Sequence, residues 1–248
     1  MILLGIDIGG TGIKAGLVDV STGLLTSERV RVDTPQPAVS ATMALAVAGL
    51  AESFGYSGPI GIGFPAVVRD GRVFTANNID ETWIGQSARD IFSDATSREV
   101  TILNDADAAA VAEARFGVAK GVPGLVLMLT FGTGIGSGML VDGQLIPNVE
   151  LGVIELEGHR PAEVFFSAKA RETENLSWEE WGHRASRFLL HVNRLFDPNL
   201  IVVGGGAARR WEQFADSLDP SLPVELARIG NNSGIVGAAV SASGVSHN

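Results

Sequence analysis

The spacing of hydrophobic and polar residues predicts strands and helices from the start of the chain. Apolar runs at residues 3–8 and 13–20 have the length of strands and are separated by a glycine-rich turn. A third, more exposed strand is predicted over residues 24–32. The alanine-rich segment 38–54 has apolar residues at helical spacing, which predicts a helix.

The next apolar segments continue this mixture of strands and helices. Residues 59–68 form a run of strand length, and the Asp-Gly pair after it predicts a hairpin with residues 72–75. A short helix is predicted at residues 87–95 and a strand at residues 100–103. A helix of small residues is predicted over residues 108–115.

The middle of the chain repeats the pattern of its beginning. Strands predicted at residues 125–131, 135–141 and 144–146 are separated by turns, as in the first three strands. The four residues Gly-Thr-Gly-Ile occur at both 10–13 and 132–135. This similarity indicates two related halves.

The last part of the chain contains the most clearly amphipathic segment, a helix predicted over residues 177–196. Its apolar residues fall on one stripe, which is interpreted as core: Trp178, Trp181, Ala185, Phe188, Leu189, Val192, Leu195 and Phe196. A buried strand is predicted at residues 200–203 and a helix at residues 207–218. A final helix of small residues is predicted at residues 234–242.

Composition and charge restrict the class of protein. The 248 residues are 46% hydrophobic, which indicates a globular protein. The absence of cysteine excludes disulfides, zinc fingers and thiol catalysis. A net charge of -10 without a basic run argues against a nucleic-acid partner. No apolar run reaches the ~20 residues of a membrane span, and the N-terminus does not resemble a signal peptide. We therefore expect a cytoplasmic protein without a membrane partner.

The strand predicted at residues 100–103 runs directly into Asn104, Asp105 and Asp107, and two interpretations are open. In the first, one of these side chains caps the following helix, because a short oxygen-bearing side chain satisfies free N–H groups. In the second, the strand end holds a carboxylate in a cleft, where it accepts a proton from a substrate.

Three glycine-rich turns, each following an apolar strand, predict a phosphate-bearing ligand. Glycine allows backbone N–H groups to approach and surround phosphate oxygens. The third turn opens a predicted helix, whose dipole would favour an anion. The predicted phosphate-binding residues of the turns are Gly9, Gly10, Thr11, Gly12, Gly132, Thr133, Gly134, Gly204, Gly205 and Gly206. The P-loop motif and the dinucleotide-binding fingerprint are both absent from the sequence.

Further charged residues are candidates for a site. Asp7 lies within an apolar strand, so it requires either a water-bridged Mg²⁺ or a structural hydrogen-bond partner. Lys14 would lie across the hairpin, as a phosphate contact or as an ordinary surface lysine. A group of acidic residues around one histidine does not fit a zinc pattern and is interpreted as recognising hydroxyl groups. This group comprises Glu150, Glu155, Glu157, His159 and Glu163.

Four motifs, in this order, resemble the ROK family of sugar kinases. They are GIDIGGTGIK at residues 5–14, LNDADAA at 103–109, TFGTGIGS at 130–137 and VGGG at 203–206. Within the family, the chain is most similar to the polyphosphate glucokinases and the polyphosphate/ATP glucomannokinases. The segments typical of that branch are TPQPA at 34–38, LIPN at 145–148 and SGIVGAA at 233–239.

The resemblance implies an actin-like (ribonuclease H-like) ATPase fold, with two similar α/β domains around a cleft. The N-terminal domain would comprise residues 1–103 and 233–248, and the C-terminal domain residues 104–232. The family also implies a homodimer and a phosphoryl transfer to the 6-hydroxyl of glucose or a related hexose. The implied donor is polyphosphate, with ATP left open as a second donor. It implies Mg²⁺ and, in this branch, no zinc.

The resemblance also assigns roles to individual residues. Asp105 would be the general base, which makes Asp107 the better candidate for the helix cap. The implied sugar-binding residues are Asn104, Glu150, Glu163 and Asn78. The implied phosphate and Mg²⁺ contacts include Asp7, Gly10, Thr11, Lys14, Thr133 and Gly134.

Three positions depart from the family pattern. Val153 replaces a histidine that contacts the sugar, Ala66 replaces a glycine after Pro65, and Glu81 replaces a basic residue. Loss of a buried hydrogen-bond partner costs about 1–3 kcal/mol. Two alternatives follow: a strictly ATP-dependent ROK hexokinase, and a degenerate sugar-binding protein with little kinase activity.

Overall fold

The computed structural model describes residues 1–77 and 79–244, and this part of the chain forms two compact units. The first unit contains Met1–Ala112 together with the chain from Asn232 onward, and the second contains Glu113–Asn231. The sequence places these boundaries after residues 103 and 232. The first boundary in the structure lies within a helix, because the N-terminal part of that helix packs against the C-terminal helix of the first unit.

A six-stranded sheet forms the first unit. Strand β1 pairs antiparallel with β2 and parallel with β5, which pairs parallel with β8. Strands β3 and β4 both pair with β2, and β6 and β7 form a separate hairpin. The strands are β1 (Ile2–Ile8), β2 (Gly12–Asp19), β3 (Leu24–Leu25), β4 (Val30–Asp33), β5 (Ile60–Phe64), β6 (Val68–Arg69), β7 (Arg72–Val73) and β8 (Val100–Asn104). The α-helices that precede the second sheet are α1 (Ser40–Ser53), α2 (Ala88–Thr96) and α3 (Asp105–Phe116).

The second unit has a five-stranded sheet in the order β11-β10-β9-β12-β13. Its strands are β9 (Leu125–Phe131), β10 (Ile135–Val141), β11 (Gln144–Ile146), β12 (Leu200–Gly204) and β13 (Val224–Leu226). Its α-helices are α4 (Glu163–Phe166), α5 (Ala168–Glu174) and α6 (Trp178–Phe196). The final helix, α7 (Ser233–Ser241), belongs to the first unit.

Both units contain the same strand arrangement. In the first, an antiparallel hairpin (β1–β2) is followed by two parallel strands, β5 and β8. In the second, the hairpin β9–β10 is followed by the parallel strands β12 and β13. The glycine turns that repeat in the sequence connect equivalent strands, so the internal similarity extends from four residues to a complete sheet topology.

Aromatic residues fill the core of each unit. In the first, Trp83 packs edge-on against Phe64 with 5.0 Å between ring centroids, and its indole Nε1 donates to the Ala38 carbonyl at 2.8 Å. In the second, Trp181 is fully buried against Phe131. Because each buried indole N–H has a hydrogen-bond acceptor, the ring stabilises the core by apolar burial without the cost of an unsatisfied donor.

Helix α6 confirms the predicted amphipathic segment. Ser177 accepts a hydrogen bond from the Glu180 N–H, and the Glu180 carboxylate accepts one from the Ser177 N–H, so a capping box fixes the start. The predicted stripe was wrong at one position, since Leu195 is 58% exposed. Leu195 lies in the last turn, where the helix extends past the sheet-facing core residues.

Helix α7 lies against the first sheet with its backbone in direct contact with the strands. A Cβ at Gly5 would overlap the Ile235 carbonyl, and a Cβ at Gly61 would overlap the Ala238 carbonyl. A Cβ at Gly237 would overlap a backbone carbonyl of α3. Glycine is therefore required at these positions, because the backbones approach too closely to leave space for a Cβ atom.

Several predicted elements were wrong in extent. The strand predicted at residues 24–32 is interrupted, because the Ser27 hydroxyl replaces a backbone acceptor for the Leu17 N–H at 3.0 Å. The helix predicted at residues 207–218 is two 3₁₀ segments, Ala207–Gln213 and Ala215–Ser217, with non-helical angles at Arg210. The short elements α4, α5 and β13 lie in segments for which no element was predicted.

Candidate functional site

The ends of three strands bring two of the predicted acidic residues together in the first unit. In the sheet, Asp7 of β1 is aligned with Gly63 of β5, and Gly63 is aligned with Leu103 of β8. Asn104 and Asp105 follow Leu103 directly. A Cβ at Gly63 would lie 3.8 Å from the Asp7 Oδ1 and 3.5 Å from the Asp105 Cα. Asp7 and Asp105 therefore flank the same glycine, with the Ala108 Cβ also 3.5 Å from that position.

Asn104 is the cap of α3. Its Oδ1 accepts hydrogen bonds from the N–H groups of Ala106 (2.8 Å) and Asp107 (3.1 Å), and its Nδ2 donates to the Ala66 carbonyl at 3.1 Å. The prediction of Asp107 as the cap was wrong, because α3 begins at Asp105, three residues before the predicted start. Asn104 is buried, and one N–H of its amide remains beyond these bonds for a ligand.

Asp105 occupies the first position of α3 and is half-buried. Its Oδ1 accepts a hydrogen bond from the Ala106 N–H at 2.9 Å. The amide groups at the N-terminus of a helix stabilise a negative charge, so this position suits an ionised carboxylate. The side chain is thus oriented by the backbone that follows it.

The first glycine turn is held by contacts from β4 and the segment after it. The Gly9 N–H donates to the Gly12 carbonyl at 3.0 Å, and the Thr34 hydroxyl donates to the Gly9 carbonyl at 2.6 Å. The Arg31 guanidinium donates to the Thr11 carbonyl at 3.0 Å. The sequence analysis missed Arg31 and Thr34 as turn contacts, although Thr34 begins the TPQPA segment that resembles the family.

Asp7 has a structural partner in Lys14. The two residues are directly opposite in the β1–β2 pair, and the Lys14 Nζ lies 3.0 Å from the Asp7 Oδ2. The side chain of Asp7 is 15% exposed and that of Lys14 is 33% exposed. The carboxylate in the apolar strand is therefore compensated, as the sequence required.

In the second unit, Glu163 is bound to the second glycine turn. Its Oε2 accepts a hydrogen bond from the Ile135 N–H at 2.9 Å. A Cβ at Gly134 would overlap this carboxylate, and a Cβ at Gly152 would lie 3.1 Å from its Oε2. The Gly132 N–H donates to the Gly134 carbonyl at 3.0 Å, as in the first turn. Glu163 thus connects the turn with the segment that contains Glu150.

Glu150 is half-buried and lies close to Glu163. The Ser137 hydroxyl donates to the Val149 carbonyl at 2.6 Å and accepts from the Leu151 N–H at 2.8 Å, which anchors this segment to β10. Burial raises the pKa of the Glu150 carboxyl, and the charge of Glu163 raises it further. The structure therefore brings Glu150 and Glu163 together, as the sequence predicted.

The other members of the predicted acidic group have separate environments. Glu157 pairs with Arg187 at 3.0 Å, and the His159 ring stacks on Phe165 with 3.9 Å between centroids. Glu155 is exposed. Within residues 1–77 and 79–244, no group of three or more His, Cys, Asp or Glu side chains could hold a metal ion.

The third glycine turn has a packing explanation. Gly205 has φ +79°, and a Cβ there would lie 2.7 Å from both the N and O atoms of Phe131. A Cβ at Gly204 would lie 2.5 Å from the Met128 side chain. The prediction that an α-helix begins after this turn and favours an anion through its dipole was wrong, because the following segment is a short, kinked 3₁₀ helix. Phosphate binding by this turn stays a prediction.

Three further positions singled out in the sequence have different outcomes. Asn78 lies outside the described residues. Glu81 begins a 3₁₀ helix, Glu81–Trp83, which is capped by Asp80 through the Thr82 N–H. Val153 ends the 3₁₀ helix Leu151–Val153 and is 40% exposed. Its side chain therefore lies at the surface of the segment that carries Glu150.

None of the helices in the described part of the chain combines the length and apolar character needed to span a membrane.

Comparisons with known proteins show the family to which the chain belongs. The model of the ROK family matches residues 3–163. The polyphosphate glucokinase of Mycobacterium tuberculosis is 44% identical over 237 residues, covering 95% of this chain and 89% of the relative. The match to this relative covers nearly the whole chain, and not only the segment that the family model matches.

Two solved structures show the same fold. The inorganic polyphosphate/ATP-glucomannokinase of Arthrobacter sp. strain KM has a TM-score of 0.94 at 44% identity, covering 96% of this chain and 97% of its own. A ROK family glucokinase from Streptomyces griseus, solved with glucose and AMPPNP, has a TM-score of 0.82 at 28% identity, covering 98% and 99%. The predicted actin-like α/β fold is confirmed. Because the family model matches most of the chain and a 44%-identical relative covers 95% of it, the chain belongs to the ROK family.

Proposed function

We propose that this protein is a glucose kinase that transfers a phosphoryl group from inorganic polyphosphate, and also from ATP, to the 6-hydroxyl of the sugar. The observation that carries the proposal is the position of Asp105 at the end of β8, beside Asp7 and across the side-chain-free Gly63. The names of the 44%-identical relatives support both the sugar and the polyphosphate donor.

The proposed roles are divided between the two units. The first unit would supply Asn104, Asp105 and the turn at residues 9–12. The second would supply Glu150, Glu163 and the turn at residues 132–134. Asn78 and the turn at residues 204–206 are retained as additional contacts on the resemblance alone.

In the proposed mechanism, Asp105 accepts the proton of the 6-hydroxyl while the hydroxyl oxygen attacks the terminal phosphorus of the donor. The bond between that phosphorus and the bridging oxygen breaks, and the products are the sugar phosphate and a donor shortened by one phosphoryl group. Backbone N–H groups of the glycine turns would stabilise the charge on the transferred group. Asp105 is suited to the base because its orientation is fixed by the Ala106 N–H.

A magnesium ion fits the residues of the first unit in a water-bridged form. Asp7 is a hard oxygen donor at the strand end, and Mg²⁺ typically retains several waters and binds few protein carboxylates. When bound, the ion would neutralise charge on the donor phosphates. Asp7 would hold it through water, while Lys14 orients the Asp7 carboxylate from the neighbouring strand.

Substitution of Asp105 tests the mechanism. We expect Asp105→Asn and Asp105→Ala to lower kcat about 10²–10⁴-fold with glucose and polyphosphate, because a positioned base contributes that order of rate. Asp94→Asn is the control, since Asp94 is an exposed carboxylate in α2 of the same unit. Near-normal turnover of both Asp105 variants, with their unfolding curves unchanged, would contradict the role of the base.

The donor and the sugar are tested in one assay that crosses glucose, mannose and N-acetylglucosamine with polyphosphate and ATP. Activity with ATP alone would support the strictly ATP-dependent alternative, which the acidic Glu81 favours. Sugar binding without phosphorylation by either donor would support a degenerate sugar-binding protein, which the exposed Val153 favours.

Family membership also supports a homodimer that acts in the cytoplasm. Apolar side chains of Val164 and Leu195 are exposed in the second unit and are available for such a contact. Light scattering coupled to size-exclusion chromatography measures the assembly directly, and a monomeric mass at micromolar concentration would contradict the dimer.

A further inference from the structure

Two basic side chains lie on one face of the first sheet, beside the glycine turn. Lys14 of β2 is directly opposite Arg31 of β4, and directly opposite residues of a sheet project from the same face. A third basic residue, Arg29, lies in the segment immediately before β4, two residues from Arg31. Its guanidinium donates to the Asn232 Oδ1 at 3.1 Å, immediately before α7.

The glycine turn and these basic residues form a continuous surface. The Arg31 guanidinium covers Gly12, since a Cβ at Gly12 would lie 2.6 Å from its Nε and Nη2 atoms. The same guanidinium donates to the Thr11 carbonyl. From the turn, the basic residues therefore continue from Arg31 in β4 to Arg29, which directly precedes the strand.

The partners of the two arginines leave them able to bind an additional anion. Arg29 is exposed, and it donates a hydrogen bond to a neutral amide, that of Asn232. Arg31 is 51% exposed, and its ion-pair partner Asp33 is 85% exposed. Exposed ion pairs contribute little to stability, so a phosphate that approaches Arg31 competes with Asp33 at small cost. Guanidinium groups bind phosphate oxygens in a bidentate geometry.

We propose that Arg29 and Arg31 form a binding site for the distal part of a polyphosphate chain, beyond the phosphoryl groups held by the turn at residues 9–12. The inference rests on the proposed function and names the region of the donor that the site recognises. Every internal phosphoryl unit of polyphosphate carries a negative charge, so a longer chain reaches more of the basic surface. In a nucleoside triphosphate, a sugar and a base follow the third phosphoryl group, where polyphosphate has further phosphoryl groups. Such a donor therefore does not present additional negative charges to Arg29 and Arg31.

The test compares donors of different length. The Arg29→Gln/Arg31→Gln double variant should lower kcat/KM for long-chain polyphosphate about five-fold, as expected for two exposed charge contacts. The loss should be smaller for tripolyphosphate and for ATP, which do not reach both arginines. For the unmodified protein, added salt should raise the KM for long-chain polyphosphate more steeply than the KM for tripolyphosphate.

Arg89→Gln is the matched control. Arg89 is in the same unit, its side chain is 50% exposed, and it also pairs with an exposed aspartate. This variant removes one positive charge at another place, as each single variant of Arg29 or Arg31 does, and should leave the donor preference unchanged. An equal loss for long chains in Arg89→Gln and Arg29→Gln would overturn the proposal, since net charge alone would then explain the effect.

The separate variants distinguish the proposed site from an effect on the turn. Arg29 does not contact the turn, so a selective loss for long chains in Arg29→Gln supports the site. An equal loss for all donors in Arg31→Gln, with no effect of Arg29→Gln, would overturn it and leave Arg31 as a support of the turn. Inactivity of the unmodified protein with every polyphosphate would instead contradict the proposed function, before any variant is compared.

Discussion

Replacement of Asn104 by alanine tests the structural role of this residue independently of catalysis. The substitution removes the acceptor for two N–H groups at the start of α3, and loss of a cap costs about 1 kcal/mol. It also leaves the Ala66 carbonyl without the Nδ2 donor in a buried position, which costs about 1–2 kcal/mol more. The free energy of unfolding of the first unit should therefore fall by about 2–3 kcal/mol.

Denaturant unfolding followed by tryptophan fluorescence measures this loss for the chain as a whole, because Trp83 lies in the core of the first unit and the other three tryptophans belong to the second. Ser87→Ala is the control. Ser87 caps α2 by accepting the Asp90 N–H, so its loss should cost about 1 kcal/mol from the cap alone. Asn104→Ser keeps an acceptor at the cap and should recover about 1 kcal/mol relative to Asn104→Ala. Equal losses in Asn104→Ala and Ser87→Ala would refute the double role of Asn104.

Three other substitutions have defined outcomes. Glu150→Gln should stabilise the protein at neutral pH. Folding raises the Glu150 pKa above its ordinary 4.5, so ionisation of this carboxyl lowers stability as pH rises through and above that value. The free energy of unfolding, measured from about pH 4 to about pH 8, should therefore depend less on pH in the variant. Val153→His should lower the KM for glucose by restoring a hydrogen-bonding group worth about 1 kcal/mol, whereas an unchanged KM would show that this position does not reach the sugar. Gly61→Ala should lower the free energy of unfolding by about 3 kcal/mol or more, measured by thermal unfolding, because the methyl group overlaps the Ala238 carbonyl. Gly49→Ala is the control in helix α1, where the space around the glycine is open, and it should raise the free energy of unfolding by about 0.5–1 kcal/mol.

Local patterns predicted the elements whose stability is determined locally. The stripe of α6 and the hairpin β9–β10 are encoded by residues a few positions apart, so their local patterns were sufficient. The repeat of Gly-Thr-Gly-Ile correctly indicated two similar halves. The resemblance of the short motifs then identified the family and the fold, which periodicity alone does not provide.

Contacts between distant segments account for most of what was missed. The 3₁₀ segment Ala207–Gln213 has the composition of a helix, and its kink at Arg210 has no counterpart in the hydrophobic pattern. The contacts of Arg31 and Thr34 with the first turn depend on the pairing of β4 with β2, which the predicted continuous strand at residues 24–32 concealed. The cap of α3 was misplaced because Asn104 serves both as the last strand residue and as the cap.

The packing of α7 on glycines has a consequence for the order in which the chain acquires its structure during synthesis. Because α7 completes the first unit but follows the whole second unit in sequence, a nascent chain that ends at Asn231 contains every residue of the second unit and an uncovered first sheet. Contacts between Gly5 and Ile235 then have to close a loop of more than two hundred residues. The first unit, whose sheet begins to be synthesised first, is consequently the last to be completed.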